Sequence, residues 1–239
     1  TDTANTGTLI FEGDGAVTGN VGALGAGNEL KLVTVNAGDV TTDGDVAATT
    51  VNFSGDGSLS IADGHTLEGN VTTGAADTGA LIFEGAGTMT GDIGNRAGNK
   101  LNLVQVNSGT VTTSGDIAAK RVSFVGDGVL DVGGDATLDS VTNTTLTNSM
   151  GKLILNGTSS VSGNTGAAGA MLREIEMDVA LTAATFGGDV YASTTTMNST
   201  GSVQFNGNVT SNIIFRDNGN VNLATGKNIT GTVTTDTDD

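Results

Sequence analysis

Val51-Asn52-Phe53-Ser54-Gly55-Asp56-Gly57-Ser58-Leu59 opens with apolar and polar residues in strict alternation and then breaks at a Gly-Asp-Gly turn. Alternation with period two describes a β-strand with one buried face; a helix would repeat at three and four. Stepping outward from Phe53 with a period of 18 gives Val71 and Met89 in one direction, Val35 and Val17 in the other. The series continues through Val106, Phe124, Thr142, Val161, Val179, Met197, Phe215 and Val233, with one step of 17 and one of 19. Twelve of these thirteen residues are apolar in a chain that is 36% hydrophobic. Only an architecture that stacks one coil on the last requires such a column.

The neighbouring positions fix the kind of coil. Two residues before the column stand small or apolar side chains, among them Val33, Val51, Gly69, Gly87, Val104 and Val122. Between the two columns lie Thr34, Asn52, Asn70, Thr88, Gln105 and Ser123, all polar. Successive strands run the same way, so the expected fold is all-β: a single-stranded, right-handed parallel β-helix. At about 13 coils of 18 residues and about 4.8 Å per coil, the rod would be roughly 60 Å long. Val35, Phe53 and Val71 are expected to touch one another in consecutive coils, as are Val179, Met197 and Phe215.

A longer repeat overlies the short one. Leu9-Ile10-Phe11-Glu12-Gly13 returns as Leu81-Ile82-Phe83-Glu84-Gly85 and as Leu153-Ile154-Leu155-Asn156-Gly157, with steps of 72. The internal copies span about 6–77, 78–149 and 150–235, within a single segment 1–239. Residues 215–235 align with 53–73 at an offset of 162, so the third copy carries an extra coil. The 38 Gly cluster with Asp and Asn in turns such as Gly13-Asp14-Gly15 and Gly126-Asp127-Gly128. The absence of Pro suits strands that are hydrogen-bonded on both sides.

The net charge of −17 and pI near 4.1 disfavour nucleic acid and anionic lipid, which need a basic patch. The lack of Cys excludes disulfides and thiol chemistry. No apolar run approaches the ~20 residues of a membrane helix. No basic-then-apolar leader opens the chain, which therefore reads as a mature segment or a piece of something longer. The acidic tail 234–239 is expected to fray.

Catalytic, cofactor-binding and metal-ligating residues are all read as none, and the chain as not an enzyme. His65 is the only His, and its equivalents in the other copies are Ala136 and Lys227, so it reads as an ordinary turn residue. Asp14, Asp56 and Asp127 belong to the repeated turn. Asp43 and Asp45 resemble part of a calcium loop, but counting from Asp39 places Thr50 where a bidentate Glu is required. Tyr191 is the only Tyr and there is no Trp, which weakens a sugar-stacking platform. Phe11, Phe53 and Phe83 read as core. Outward rows such as Thr34-Val35-Asn36 and Thr88-Met89-Thr90 are too irregular for the Thr ladder of an ice-binding solenoid and read as a solvated face.

In its Gly/Asn/Thr/Val-rich, Pro- and Cys-free phrasing, exemplified by Leu9-Ile10-Phe11-Glu12-Gly13 and by 51–59, the chain resembles the passenger region of rickettsial surface cell antigens. These are autotransporters of the outer membrane protein A and B type. The resemblance covers nearly the whole chain and lies in repeat style, with no short motif that would carry over functional residues. It implies a secreted rod at the bacterial cell surface, acting in host-cell adhesion or in a surface layer. It also implies a host-cell surface protein as partner and a translocator barrel elsewhere in the full-length protein. A polysaccharide-degrading β-helix enzyme and a passive spacer are the alternatives. The enzyme would need three or more carboxylates clustered in adjacent coils.

Overall fold

The computed structural model describes residues 5–25, 27–145 and 147–236, without the side chains of 141–145. Among the described residues it holds 25 strands and no helix, and every pairing between named strands is parallel. Three ladders run the length of the rod. The first passes through Leu9, Val33, Val51, Val71, Ile93, Ile117, Leu138, Val161, Phe186, Phe205 and Leu223. The second passes through Gly15, Val40, Leu59, Leu81, Val104, Val122, Asn143, Thr165, Val190, Val209 and Ile229. The third passes through Val21, Val46, Leu67, Met89, Thr113, Val132, Leu155, Met177, Met197, Phe215 and Thr235. Each coil therefore has three sides, and the parallel β-solenoid has about eleven coils.

This corrects the expected count of 13 coils and the uniform step of 18. Along the first ladder the step ranges from 18, between Val33 and Val51, to 25, between Val161 and Phe186. From Leu9 to Leu223 the ladder takes ten steps, so the average step is longer than 18. At about 4.8 Å per step the rod is about 48 Å long. The column with a step of 18 arises because inward positions recur at every second residue. An even step taken from one inward residue therefore often lands on another, on a different side. Val71 belongs to the first ladder and Met89 to the third, and both are fully buried.

The expected core contacts divide accordingly. Val35, Phe53 and Val71 are all 0% exposed, and Val35 pairs with Phe53. Val71, however, lies over Val51, and Phe53 is followed by Thr73. Met197 pairs with Phe215 as expected. Val179 does not join them: it is 76% exposed at a corner, and Met177 takes the inward place beside Met197. Val233, at the last coil, is 55% exposed. The side chain of Thr142 and residues 237–239 of the acidic tail lie outside the described residues.

Five Phe side chains, at 53, 83, 124, 186 and 205, are fully buried, and Phe186 stacks on Phe205 with ring centroids 5.1 Å apart. Burial of each such ring stabilises the fold by about 1.5–3 kcal/mol. Phe11, Phe83 and Leu155, equivalent in the long repeat, lie on the first, second and third sides respectively. Three coils, Phe11 to Val35 to Phe53 to Thr73, bring the chain back to the first side. The segment from Thr73 to Phe83 then carries it round one side more. Each repeat is thus rotated by a third of a turn. The long strands Val46–Phe53, Ile117–Phe124 and Val190–Met197 each bend round a corner, a different one in each repeat.

Candidate functional site

At a corner the backbone turns out of the ladder, so its N–H groups need acceptors other than the next coil's carbonyls. Asn and Asp side chains supply them. Asp45 N–H donates to Asn20 Oδ1 at 3.0 Å, and Thr66 N–H to Asp45 Oδ1 at 2.9 Å. Asp92 N–H donates to Asn70 Oδ1 and Asp116 N–H to Asp92 Oδ1, both at 2.9 Å; Thr137 N–H reaches Asp116 Oδ1 at 2.7 Å. Asp189 N–H donates to Asn164 Oδ1 and Asn208 N–H to Asp189 Oδ1, both at 2.8 Å. Asn20, Asp92 and Asn164 are equivalent positions of the three long repeats, so the same device recurs on successive sides. Asp14 and Asp127 of the Gly-Asp-Gly turns also accept backbone N–H groups, from Asp39 and Gly151. At least six of the 26 acidic side chains, Asp14, Asp45, Asp92, Asp116, Asp127 and Asp189, therefore serve as coil-to-coil caps.

Two residues after each of these side chains a loop leaves the rod, starting at Gly22, Gly94 or Gly166. Their φ angles are +74°, +69° and +71°, and a Cβ would stand 2.2, 2.0 and 2.1 Å from the carbonyl oxygens of Ala47, Ala118 and Tyr191. Only glycine fits. The loop sequences then diverge: Ala23-Leu24-Gly25, Asn95-Arg96-Ala97 and Ala167-Ala168-Gly169.

The second loop is the most firmly held. Arg96 Nη1 is 3.3 Å from Asp116 Oδ2, and Lys100 Nζ is 2.9 Å from Asp139 Oδ2. Asn99 Nδ2 donates to the carbonyls of Thr73 and Gly74 at 3.3 and 3.1 Å. Burial pushes the Asp139 carboxyl upward, but hydrogen bonds from Lys100 and Ser162 and the charges of Lys100 and Arg96 outweigh it and hold the pKa below its ordinary value. Beneath the loop lies a groove of about 400 Å³ lined by Asn70, Thr72, Asp92, Gly94, Asn95, Arg96, Ala97 and Asp116.

A second polar cluster sits on the third side, where Asp131, Ile154 and Glu176 are successive register partners facing outward. Lys152 Nζ bridges Glu176 and Glu174, lying 3.0 Å from Glu174 Oε2. Thr196 Oγ1 donates to Glu174 Oε1 at 2.9 Å. Burial raises the pKa of Glu174, but the hydrogen bonds from Lys152 and Thr196 overcome it and leave the group below its ordinary value. Lys152 is held above the ordinary lysine value because its bonds to both glutamates outweigh its own desolvation. Asp131 is raised, first by burial and then by the charge of Asp178, against a 2.6 Å hydrogen bond from Asn156 Nδ2. The carboxylates are thus split between coils, with Lys152 standing between them.

His65 is half-buried at a corner, its Nδ1 3.3 Å from Asp45 Oδ1. Tyr191 is half-buried beneath the third loop. Among the described residues no three His, Cys, Asp or Glu side chains converge as metal ligands. No helix among them is long and apolar enough to cross a membrane. The sequence reading missed the corner caps, the loop modules and the Lys152 bridge. The equivalence of Gly22, Gly94 and Gly166 in the three repeats was the signal for the loops.

The sequence aligns with outer membrane protein A of Rickettsia rickettsii at 33% identity over 229 residues, covering 91% of this chain. The chain is related to the rickettsial surface antigens. It spans 10% of that relative's length, so the surface antigen is a far longer protein in which a segment of this kind is one part. No family model matches the chain, and no solved structure matches it.

Proposed function

We propose that this solenoid is a surface-exposed passenger segment of an autotransporter, a rod that acts in host-cell attachment or in a surface layer and catalyses no reaction. The observation that carries this reading is the relationship to outer membrane protein A along 91% of the chain. The fold supports it, because a continuous ladder of about eleven coils with a closed apolar core is a stiff spacer that presents loops on every side. The non-catalytic reading is supported by the pairing of Glu174 and Glu176 with Lys152 and by the use of corner aspartates as backbone caps. In this reading the protein stands outside the cell, at the bacterial surface, with a host-cell surface protein as partner. Its net charge of −17 makes nucleic acid and anionic lipid unsuitable partners.

The test is binding of the labelled rod to cultured host cells. An adhesin gives saturable binding that free unlabelled rod competes away. Non-saturable background would leave the spacer reading in its place. Turnover of any glycan, abolished by substituting a single carboxylate, would restore the enzyme reading.

A further inference from the structure

We propose that the groove beneath loop 94–100 binds a neutral saccharide through its hydroxyl groups. The decisive feature is how the groove's side chains are already used. Asn70, Asp92, Asp116 and Asn95 each commit Oδ1 to a backbone N–H, of Asp92, Asp116, Thr137 and Ala97 respectively, at 2.7–2.9 Å. These bonds fix each amide and carboxylate, so the second atom of each side chain is set without loss of rotamer freedom on binding. What remains is two amide donors, Asn70 Nδ2 and Asn95 Nδ2, and two carboxylate acceptors, Asp92 Oδ2 and Asp116 Oδ2, the latter shared with Arg96 at 3.3 Å.

A cationic ligand could use the carboxylates but would meet the amide donors and the Arg96 guanidinium with donors of its own. An anionic ligand would satisfy those donors but face two carboxylates on a chain of charge −17. A hydroxyl group both donates and accepts, so vicinal hydroxyls satisfy both sets. The repeats give an independent indication. The equivalents of Asn95-Arg96 are Ala23-Leu24 and Ala167-Ala168, and those of Asp92 are Asn20 and Asn164. Corner capping needs only a side-chain oxygen, which Asn20 and Asn164 provide at the equivalent place. Among the three loop positions the charge at Asp92 and the polar pair in the loop belong to this groove alone, although Asp45 and Asp189 cap other corners. No aromatic residue lines it, so affinity rests on hydrogen bonds and is weak, about millimolar.

This names a ligand class for the adhesive reading and can be tested apart from it. Isotope-labelled chain is titrated with cellotriose, maltotriose and N,N′,N″-triacetylchitotriose, all neutral, to about 10 mM, high enough to fill a site of about millimolar Kd. At least one sugar is expected to give saturable amide shifts centred on residues 70, 92–97 and 116. The double variant Asn95→Ala/Arg96→Leu, which copies the first loop, is expected to lose at least about tenfold in affinity. Asp92→Asn is expected to weaken binding while leaving the melting temperature unchanged, because Asn fills that place in the other repeats. The proposal fails if no sugar gives saturable shifts, if the double variant binds as the wild type does, or if Nα-acetyl-lysine methyl ester shifts the same amides instead. Host-cell binding that persists in the double variant alongside lost sugar binding supports the groove as a saccharide site, leaves adhesion standing, and overturns the groove's sugar as the ligand of adhesion.

Discussion

Phe83 is the repeat equivalent of Phe11, yet Phe11 pairs with Val35 on the first side of the solenoid and Phe83 with Ile61 and Val106 on the second. The repeat therefore turns by a third of a coil with each copy, and its loops, starting at Gly22, Gly94 and Gly166, leave from three different sides. A partner approaching from one side meets one loop, so the repeats do not offer a row of identical sites. This geometry favours divergence of the loops, as their sequences show.

Inward and corner positions should separate cleanly on substitution. Phe53→Ala removes a fully buried ring between Val35 and Thr73 and is expected to lower stability by about 3–5 kcal/mol. Val179→Ala, at a corner, is expected to change it by less than about 0.5 kcal/mol. Chemical denaturation of both variants checks this. A large loss at Val179 would return that residue to the core.

The loop-starting glycines make a second contrast. Gly94 has φ +69° with the Ala118 carbonyl 2.0 Å from any Cβ, so Gly94→Ala is expected to cost more than about 1 kcal/mol. Gly13 has open space around its Cβ position, and Gly13→Ala should be neutral or slightly stabilising. Thermal melts of the pair give the answer.

Acid titration should reveal opposite roles on the third side. Glu174 has a lowered pKa in the fold, so its contribution is present above its unfolded value of 4.5 and fades as pH falls through the folded value. Asp131 has a raised pKa, so its ionisation opposes folding near neutral pH; the opposition eases as pH falls through the folded value and is gone below 3.8. Asp131→Asn, which keeps an acceptor for Asn156, is therefore expected to be more stable than wild type at pH 7 and to lose that advantage in acid. Lys152→Gln is expected to be less stable at pH 7 by about 1 kcal/mol, and to recover on acidification as Glu174 is neutralised. Urea melts at neutral and acidic pH measure both.

The fold was legible because its alternation is local: Val51-Asn52-Phe53-Ser54 states which face is buried without reference to any other coil. Val35 with Phe53, and Met197 with Phe215, are true register partners one period of the column apart. The coil length was not legible elsewhere, since loop residues such as 94–100 lengthen a coil without disturbing the parity of the strands around them. Val179 was misplaced for that reason: the chain had already turned the corner after Met177. The groove was invisible in sequence because its parts, Asn70, Asp92, Arg96 and Asp116, meet only through coil-to-coil contacts.

Two deletions of equal length test the stacked register most directly. Residues 198–215 make one whole coil, since Met197 and Phe215 are register partners, and their removal lets Arg216 take the place of Asn198. Deleting 72–89 removes a segment of the same length, but Val71 has its partner further on, at Ile93, so the cut takes less than a coil and joins the first side to the third. The first variant is expected to keep a cooperative circular-dichroism melt and resistance to limited proteolysis, on a rod shorter by about 4.8 Å. The second is expected to lose the coils around its junction. Equal stability of the two variants, or greater stability of the second, would contradict the register of three ladders.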